Sequence, residues 1–264
     1  MDRTLKTTTS LSIMSEKQKE IRHLSFEDFR QRAANSSLSV YEKIGFANSF
    51  REGKEEFIFR DFVSKLPNLS TENKNVLDIG CGCSDVPKAL IAWCKERNHQ
   101  LTLIDSNEML NNLGEVDSAK KLPGMFPVDF ADFCEANQGK FDVIIVYSLL
   151  HILVHDSSIL QFIDSTLKLL NHGGQCLIGD IPNVDKRNRL FSSPAGVQFH
   201  QSNRGDQSLP VTTFNQINFE ELDDAFIFFM MQRARNAGFD SFLLPQPAEL
   251  PMANRREDLL FVRP

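Results

Sequence analysis

From residue 75 onward, short apolar runs alternate with segments of helical spacing. Asn75–Ile79, Leu101–Ile104, Phe141–Tyr147 and Gln175–Gly179 read as strands, with Phe126–Val128 as a further short one after the second. Val86–Glu96, Glu108–Leu113 and Ser158–Leu170 read as the helices between them, the last ending at a glycine stop in Asn171-His172-Gly173-Gly174. Phe219–Ala237 reads as a helix closed by Gly238, and Ser241–Leu244 and Asp258–Val262 as two final strands. Strands that alternate with helices predict a mainly parallel sheet with helices on both faces. Apolar strands fit burial on both sides.

The first 70 residues follow another rhythm. Residues 1–20 read as a flexible tail, and 21–70 as a helical extension. One helix spans about 25–33, where Ser25 and Asp28 stand at capping-box spacing. A second spans about 50–65, with Phe57, Ile58, Phe62, Val63 and Leu66 near helical spacing and Pro67 as the stop. Between them the mixed polar and aromatic stretch Tyr41–Arg51 is suited to covering a cleft. Residues 71–264 then form the main domain, interrupted at 181–218. That polar, basic stretch with three prolines predicts a long functional loop.

Composition narrows the class. The 264 residues carry a net charge of −6, which gives no general attraction for nucleic acid. Five cysteines, an odd number without a disulfide framework, fit a reducing compartment. Cys81 and Cys83 lack a second pair at zinc spacing, so no metal is expected. The apolar run Val143–Val154 is too short to span a bilayer, and no secretory signal is visible. A soluble, cytoplasmic protein is expected.

The chemistry concentrates at Asp78-Ile79-Gly80-Cys81-Gly82, which closes one strand, and at Asp105, which closes the next. Glycines after a buried strand permit a tight turn and close approach of a ligand. An acid one strand later can accept hydrogen bonds from ribose hydroxyls. Nicotinamide and flavin enzymes use this geometry to seat a pyrophosphate on a helix N-terminus, with a third glycine. Here Asp85 stands at that third position and would repel a pyrophosphate. A cationic ligand such as S-adenosylmethionine is favoured by the same acids. A nicotinamide-dependent oxidoreductase and a non-catalytic binding protein stay open as alternatives.

Residues 70–264 resemble the class I S-adenosylmethionine-dependent methyltransferases. Asp78-x-Gly80-x-Gly82-x-Ser84 resembles the first motif of that family, with Ser84 in place of its third glycine. Asp105, followed by Ser106 and Met109, resembles the acid after strand two. Asp129-Phe130 resembles the pair after strand three, Phe141–His151 the fourth motif with Tyr147 and Ser148, and Leu170–Gly174 the fifth. The resemblance implies a seven-stranded sheet with an antiparallel last strand. It also implies a site for S-adenosylmethionine, leaving S-adenosylhomocysteine as product, built from Asp78, Gly80, Cys81, Gly82, Asp105, Ser106, Met109, Asp129, Phe130, Tyr147 and Ser148. The runs Gly179–Asn183 and Pro251–Asp258 resemble bacterial methyltransferases of surface-sugar pathways.

The acceptor side is read from strand ends and loops. His151 and Asp180, both at strand ends, and His200 are the candidate bases or acceptor contacts. Tyr41, Arg187, Arg204, Arg255 and Arg256 are candidate acceptor-binding residues, the arginines offering paired hydrogen bonds to a carboxylate or phosphate. The expected reaction is methyl transfer to oxygen or nitrogen of a small, polar, anionic metabolite or sugar precursor. The apolar cluster Phe226, Phe228, Phe229, Met230 and Met231 reads first as core, with a dimer face or an acceptor pocket as the alternatives.

Overall fold

The computed structural model describes residues 24–156, 158–215 and 221–264. The tail expected over 1–20 lies outside the described residues. Four helices open the described chain: α1 (Phe26–Ala34), α2 (Val40–Lys43), α3 (Asn48–Arg51) and α4 (Glu55–Lys65). The Ser25–Asp28 capping box is formed, each side chain bonded to the other's backbone N–H.

The alternating part begins at β1 (Asn75–Ile79), followed by α5 (Asp85–Glu96), β2 (Gln100–Asp105), α6 (Asn107–Asn111), β3 (Ala119–Pro123), α7 (Ala131–Ala136) and β4 (Phe141–Tyr147). Then come α8 (Leu150–Asp156), α9 (Ile159–Leu169), β5 (Leu170–Pro182), α10 (Val184–Phe191) and α11 (Pro194–Arg204). The chain closes with α12 (Asp224–Asn236), β6 (Asp240–Pro245) and β7 (Arg256–Val262). The sheet order is β3-β2-β1-β4-β5-β7-β6. The first five strands are parallel, and β7 is antiparallel to both neighbours.

Alternation along the strands splits the core between two faces. Leu77, Ile79, Ile144, Val146 and Ile178 face Phe162 and Ile163 of α9 and Met230 of α12. Val76, Val143, Ile145 and Leu177 face Leu90 of α5 and Ile58 and Phe62 of α4. Helix α4 therefore shares the core of the sheet. In α12, Ile227 and Met230 are buried, while Phe228 and Phe229 stand exposed. Among the described residues, no helix is long and apolar enough to cross a membrane.

Three expectations about elements are corrected. The third strand is Ala119–Pro123, not Phe126–Val128, which lies in a turn with a cis Phe126–Pro127 bond and a 3-10 helix at Val128–Phe130. Helix α9 ends at an extended Leu170 and the chain enters β5 directly, without a glycine stop. The stretch 181–218 is not one loop. Asn183 caps α10 through the N–H groups of Asp185 and Lys186, and Ser193-Pro194 starts α11, which Gly205 closes in the left-handed conformation.

Candidate functional site

Strands β1 and β4 are neighbours in the sheet although β2 and β3 lie between them in sequence. In an open α/β sheet the crevice outside the strand ends at such a reversal is where ligands bind. A cleft of about 1040 Å³, its mouth included, occupies that place. Asp78, Gly80, Cys81, Gly82, Asp105, Met109, Tyr147 and Ser148 line it, so eight of the residues predicted for the methyl donor meet there.

The turn leaves no spare room at its glycines. Gly80 and Gly82 have φ of +71° and +68°, a region that side-chain-bearing residues rarely adopt. A Cβ on Gly80 would come within 2.8 Å of Leu149, and one on Gly82 within 3.0 Å of Ile44. Asp105 pins the turn from the next strand: its Oδ2 accepts from Gly82 N at 2.8 Å and its Oδ1 from Ser106 N at 2.7 Å.

The helix after the turn is already capped, and by an unexpected residue. Glu55 of α4 is buried, and its Oε2 accepts from Ser84 Oγ at 2.7 Å and from Val86 N at 3.0 Å. This carboxylate takes the place at the N-terminus of α5 where a dinucleotide enzyme seats its pyrophosphate. A second anion there would find these donors already taken by an acidic side chain. The site therefore fits a phosphate-free, cationic ligand and opposes the nicotinamide alternative.

Two acids of the cleft carry the electrostatics. Burial, reinforced by Asp105, pushes the Asp78 carboxyl up to about 8, and burial pushes Asp105 up to about 6 against the pull of its two backbone N–H donors. In the ligand-free protein these groups hold protons longer than an ordinary acid. A cationic ligand favours the carboxylate form, so at lower pH binding must expel a proton. Affinity for S-adenosylmethionine is expected to rise with pH, by at most about tenfold per unit between 6 and 8 where Asp78 alone still holds a proton and more steeply below 6 where Asp105 does too, and then to level off. Calorimetric titration across this range checks it; a flat profile would exclude proton-linked binding at Asp78 and Asp105.

The other three predicted donor residues, Ser106, Asp129 and Phe130, do not line the cleft. Ser106 is buried and caps α6, accepting from Met109 N at 3.2 Å. Asp129 does not line the cleft: its Oδ2 accepts from Met125 N at 2.7 Å, and Phe130 packs under Phe126. The pair thus shapes the turn that carries Met125 and Phe126 into the cleft.

The N-terminal segment roofs the site. Phe26, Phe29, Ile44, Phe46 and Arg51 line the cleft. Arg30 holds Glu108 of α6 through two bonds of 3.0 and 2.7 Å, and Lys43 Nζ donates to Asn112 at 2.6 Å. Tyr41 lies outside the lining, half-buried in α2. Burial and the nearby acids Glu55, Asp85 and Glu52 raise its phenol.

At the ends of β4 and β5 a polar network joins Ser148 and Arg51 of the cleft lining to Asp180 and Arg256, which lie outside that lining. Ser148 and Asp180 both have left-handed backbones, with φ of +57° and +59°. Ser148 Oγ donates to Asp180 Oδ2 at 2.5 Å and accepts from Arg51 Nη2 at 3.1 Å. Arg256 Nη1 lies 3.0 Å from Asp180 Oδ2 and donates to the Asp180 carbonyl at 2.8 Å. The Phe46 ring lies within cation–π range of both Arg51, at 4.3 Å, and Arg256, at 6.0 Å. Several atoms here are buried without a hydrogen-bond partner: Arg51 Nε and Nη1, Asp180 Oδ1 and Tyr147 Oη. Unmade bonds of this kind cost free energy unless a ligand or water makes them.

The remaining candidates divide. Arg187, Arg255 and Arg256 lie close enough that the other two arginines lower the Arg255 guanidinium, after burial, to about 10. Arg204 sits apart, paired with Asp206 on the surface. His200 packs on Phe191 in the α10–α11 pair, outside the cleft lining, and His151 in α8 is also outside it. Sequence reasoning left out Glu55, and it placed Phe46 and Arg51 only within the stretch Tyr41–Arg51 expected to cover a cleft, without a role of their own. They come from the N-terminal segment, where no motif marks them.

Residues 50–217 match the methyltransferase domain family. Among solved structures, the chain is similar to the plantazolicin methyltransferase BpumL in complex with a monoazolic desmethylPZN analog and S-adenosylhomocysteine. Identity is 13% and the TM-score 0.54, over 95% of this chain and 100% of that one. It is also similar to the N-methyltransferase NodS from Bradyrhizobium japonicum WM9, also with S-adenosylhomocysteine, at 15% identity and TM-score 0.54, over 90% and 98% of the two chains. The CurJ carbon methyltransferase matches at 11% identity and TM-score 0.52, over 93% of this chain and 66% of that one. No curated protein sequence matches. The fold is thus that of the methyltransferases, and the chain belongs to the methyltransferase domain family. It is an enzyme of the S-adenosylmethionine-dependent class, and the capped helix and acidic turn agree with that donor.

Proposed function

We propose that this methyltransferase transfers a methyl group to oxygen or nitrogen of a small polar acceptor bearing a carboxylate or phosphate, such as a sugar precursor. The observation that carries the reading is the half-buried Arg255 beside Arg256 and Arg187, with Asp180 the acid that acts on it among the described residues. Cations crowded away from water are relieved by an anion that arrives with the ligand.

In this reading Asp105 holds the donor's ribose, with Met109, Met125 and Phe126 around its base. Asp78 and the turn at Gly80 face its cationic end, and Arg51 takes its carboxylate through Nε and Nη1. Bound S-adenosylmethionine supplies an electrophilic methyl group. The chain itself contributes alignment, through the close walls at Gly80 and Gly82, and exclusion of water by the N-terminal roof. Asp180, beside Ser148 and Arg256, orients the acceptor or receives its proton.

The test is methyl transfer from labelled S-adenosylmethionine to a panel of sugar phosphates and of hydroxy- and amino-carboxylates, each with its neutral counterpart. Anionic members are expected to accept label. Arg255→Ala should raise KM for them about 10- to 100-fold with S-adenosylhomocysteine affinity unchanged. Equal turnover of the neutral counterparts would sink the anionic reading.

A further inference from the structure

The end of β5 carries an irregularity whose repair involves residues outside the cleft. The pairing of β5 with β7 runs Ile178↔Leu259 and resumes at Ile181↔Glu257. Two residues, Gly179 and Asp180, thus oppose the single residue Asp258, which is the count of a β-bulge. A bulge re-aims a side chain and leaves a ladder amide without its strand partner. Here the amide of Asp180 is not orphaned. Asp258 Oδ1 accepts from it at 2.8 Å and from Gln246 Nε2 at 2.8 Å.

An acid is an expensive residue for this task. Asp258 is fully buried, and desolvation raises its pKa. Its charge is met by Lys65 of α4, whose Nζ lies 2.6 Å from Asp258 Oδ2 and 2.6 Å from Asp61 Oδ2. The neighbours leave little freedom. A Cβ on Gly179 would come within 2.5 Å of the Tyr147 ring, and the Gly179 carbonyl accepts from Ser148 N at 3.1 Å. With the amide of Asp180 held on one side, its side chain reaches Ser148 and Arg256 on the other.

We propose that Asp258, with Lys65 as counter-ion, is a positioning residue for Asp180. Its carboxylate fills the gap in the sheet ladder, holds Asp180 in the left-handed conformation and aims the Asp180 carboxylate at Ser148. The same ion pair ties this strand end to α4, the helix that follows Arg51. The functional consequence rests on the acceptor-side role of Asp180 given above, whereas the positioning itself is tested without it.

Two variants separate acceptor from charge. Asp258→Val removes the acceptor in a β-compatible side chain. The Asp258→Asn/Lys65→Met double variant keeps an oxygen facing the Asp180 amide and deletes both charges of the pair; Asp61, whose carboxyl only Lys65 pulls down against burial, is left to take up a proton. In Asp258→Val, hydrogen exchange at the Asp180 amide is expected to speed up on the order of 10- to 100-fold. A crystal structure should show Asp180 out of the left-handed region and the Ser148 contact broken, with S-adenosylhomocysteine affinity within about threefold of the parent. The double variant should keep slow exchange and the contact. With an acceptor found by the labelling panel, kcat should drop in Asp258→Val and recover in the double variant, with KM for S-adenosylmethionine unchanged in both.

Retained geometry and slow exchange in Asp258→Val overturn the proposal, and so does a double variant that loses both. If Asp258→Val does not fold, the double variant alone decides by the same two readouts. A panel without any acceptor removes the functional reading and leaves the exchange and structural results standing.

Discussion

Replacing Asp105 by alanine is expected to weaken binding of both S-adenosylhomocysteine and adenosine by about 100-fold, the largest loss from any single side chain of the cleft. The carboxylate holds Gly82 N and Ser106 N, and in the proposed complex it also accepts from the ribose. Hydrogen bonds to a charged group contribute roughly 1.5–3 kcal/mol each, and about 1.4 kcal/mol is tenfold in affinity. Removing the acid also frees the turn, so part of the loss comes from a cradle that must be ordered at each binding event. Titration calorimetry with both ligands measures it. Affinities within threefold of the parent would take Asp105 out of the ribose role.

Arg51→Met is expected to show the opposite selectivity. Affinity for S-adenosylhomocysteine should fall about 10- to 100-fold, while adenosine, which lacks the amino-acid end, should bind as before. The reason is local: Nε and Nη1 of Arg51 are buried in the cleft wall without partners, and Nη2 is engaged by Ser148. Methionine approximates the length and packing of the arginine stem against Phe46, which separates charge from bulk. Equal losses for the two ligands would show that Arg51 shapes the wall and does not hold a carboxylate.

These two residues differ in how readable they are from the chain. Asp105 is announced by its position at the end of an apolar run after a glycine turn, and β1 and β4 coincide with the predicted Asn75–Ile79 and Phe141–Tyr147. Strand periodicity and turn chemistry are local, and local signals survive in sequence. Arg51 meets Ser148 across 97 positions and Glu55 meets Ser84 across 29, contacts that only tertiary packing creates. Phe126–Val128 misled for a physical reason. An apolar pair ahead of Asp129 reads as a strand, but the Asp129 carboxylate captures the Met125 amide and the proline removes a ladder donor. The helices inside 181–218 carried legible signs. Asn183, Ser193-Pro194 and Gly205 are ordinary start and stop residues, outweighed by a low content of apolar residues.

The roof over the glycine turn also sets a clock. Ile44 lies against Gly82, and Arg30 and Lys43 fasten the same segment to the helix that follows Asp105. Spent donor must leave and fresh donor must enter once per cycle, past a segment that these contacts hold against the site. The half-exposed ion pair Arg30–Glu108 weakens as salt rises. Exchange of S-adenosylhomocysteine should therefore quicken with ionic strength, and where product departure is the slow step, turnover should quicken with it.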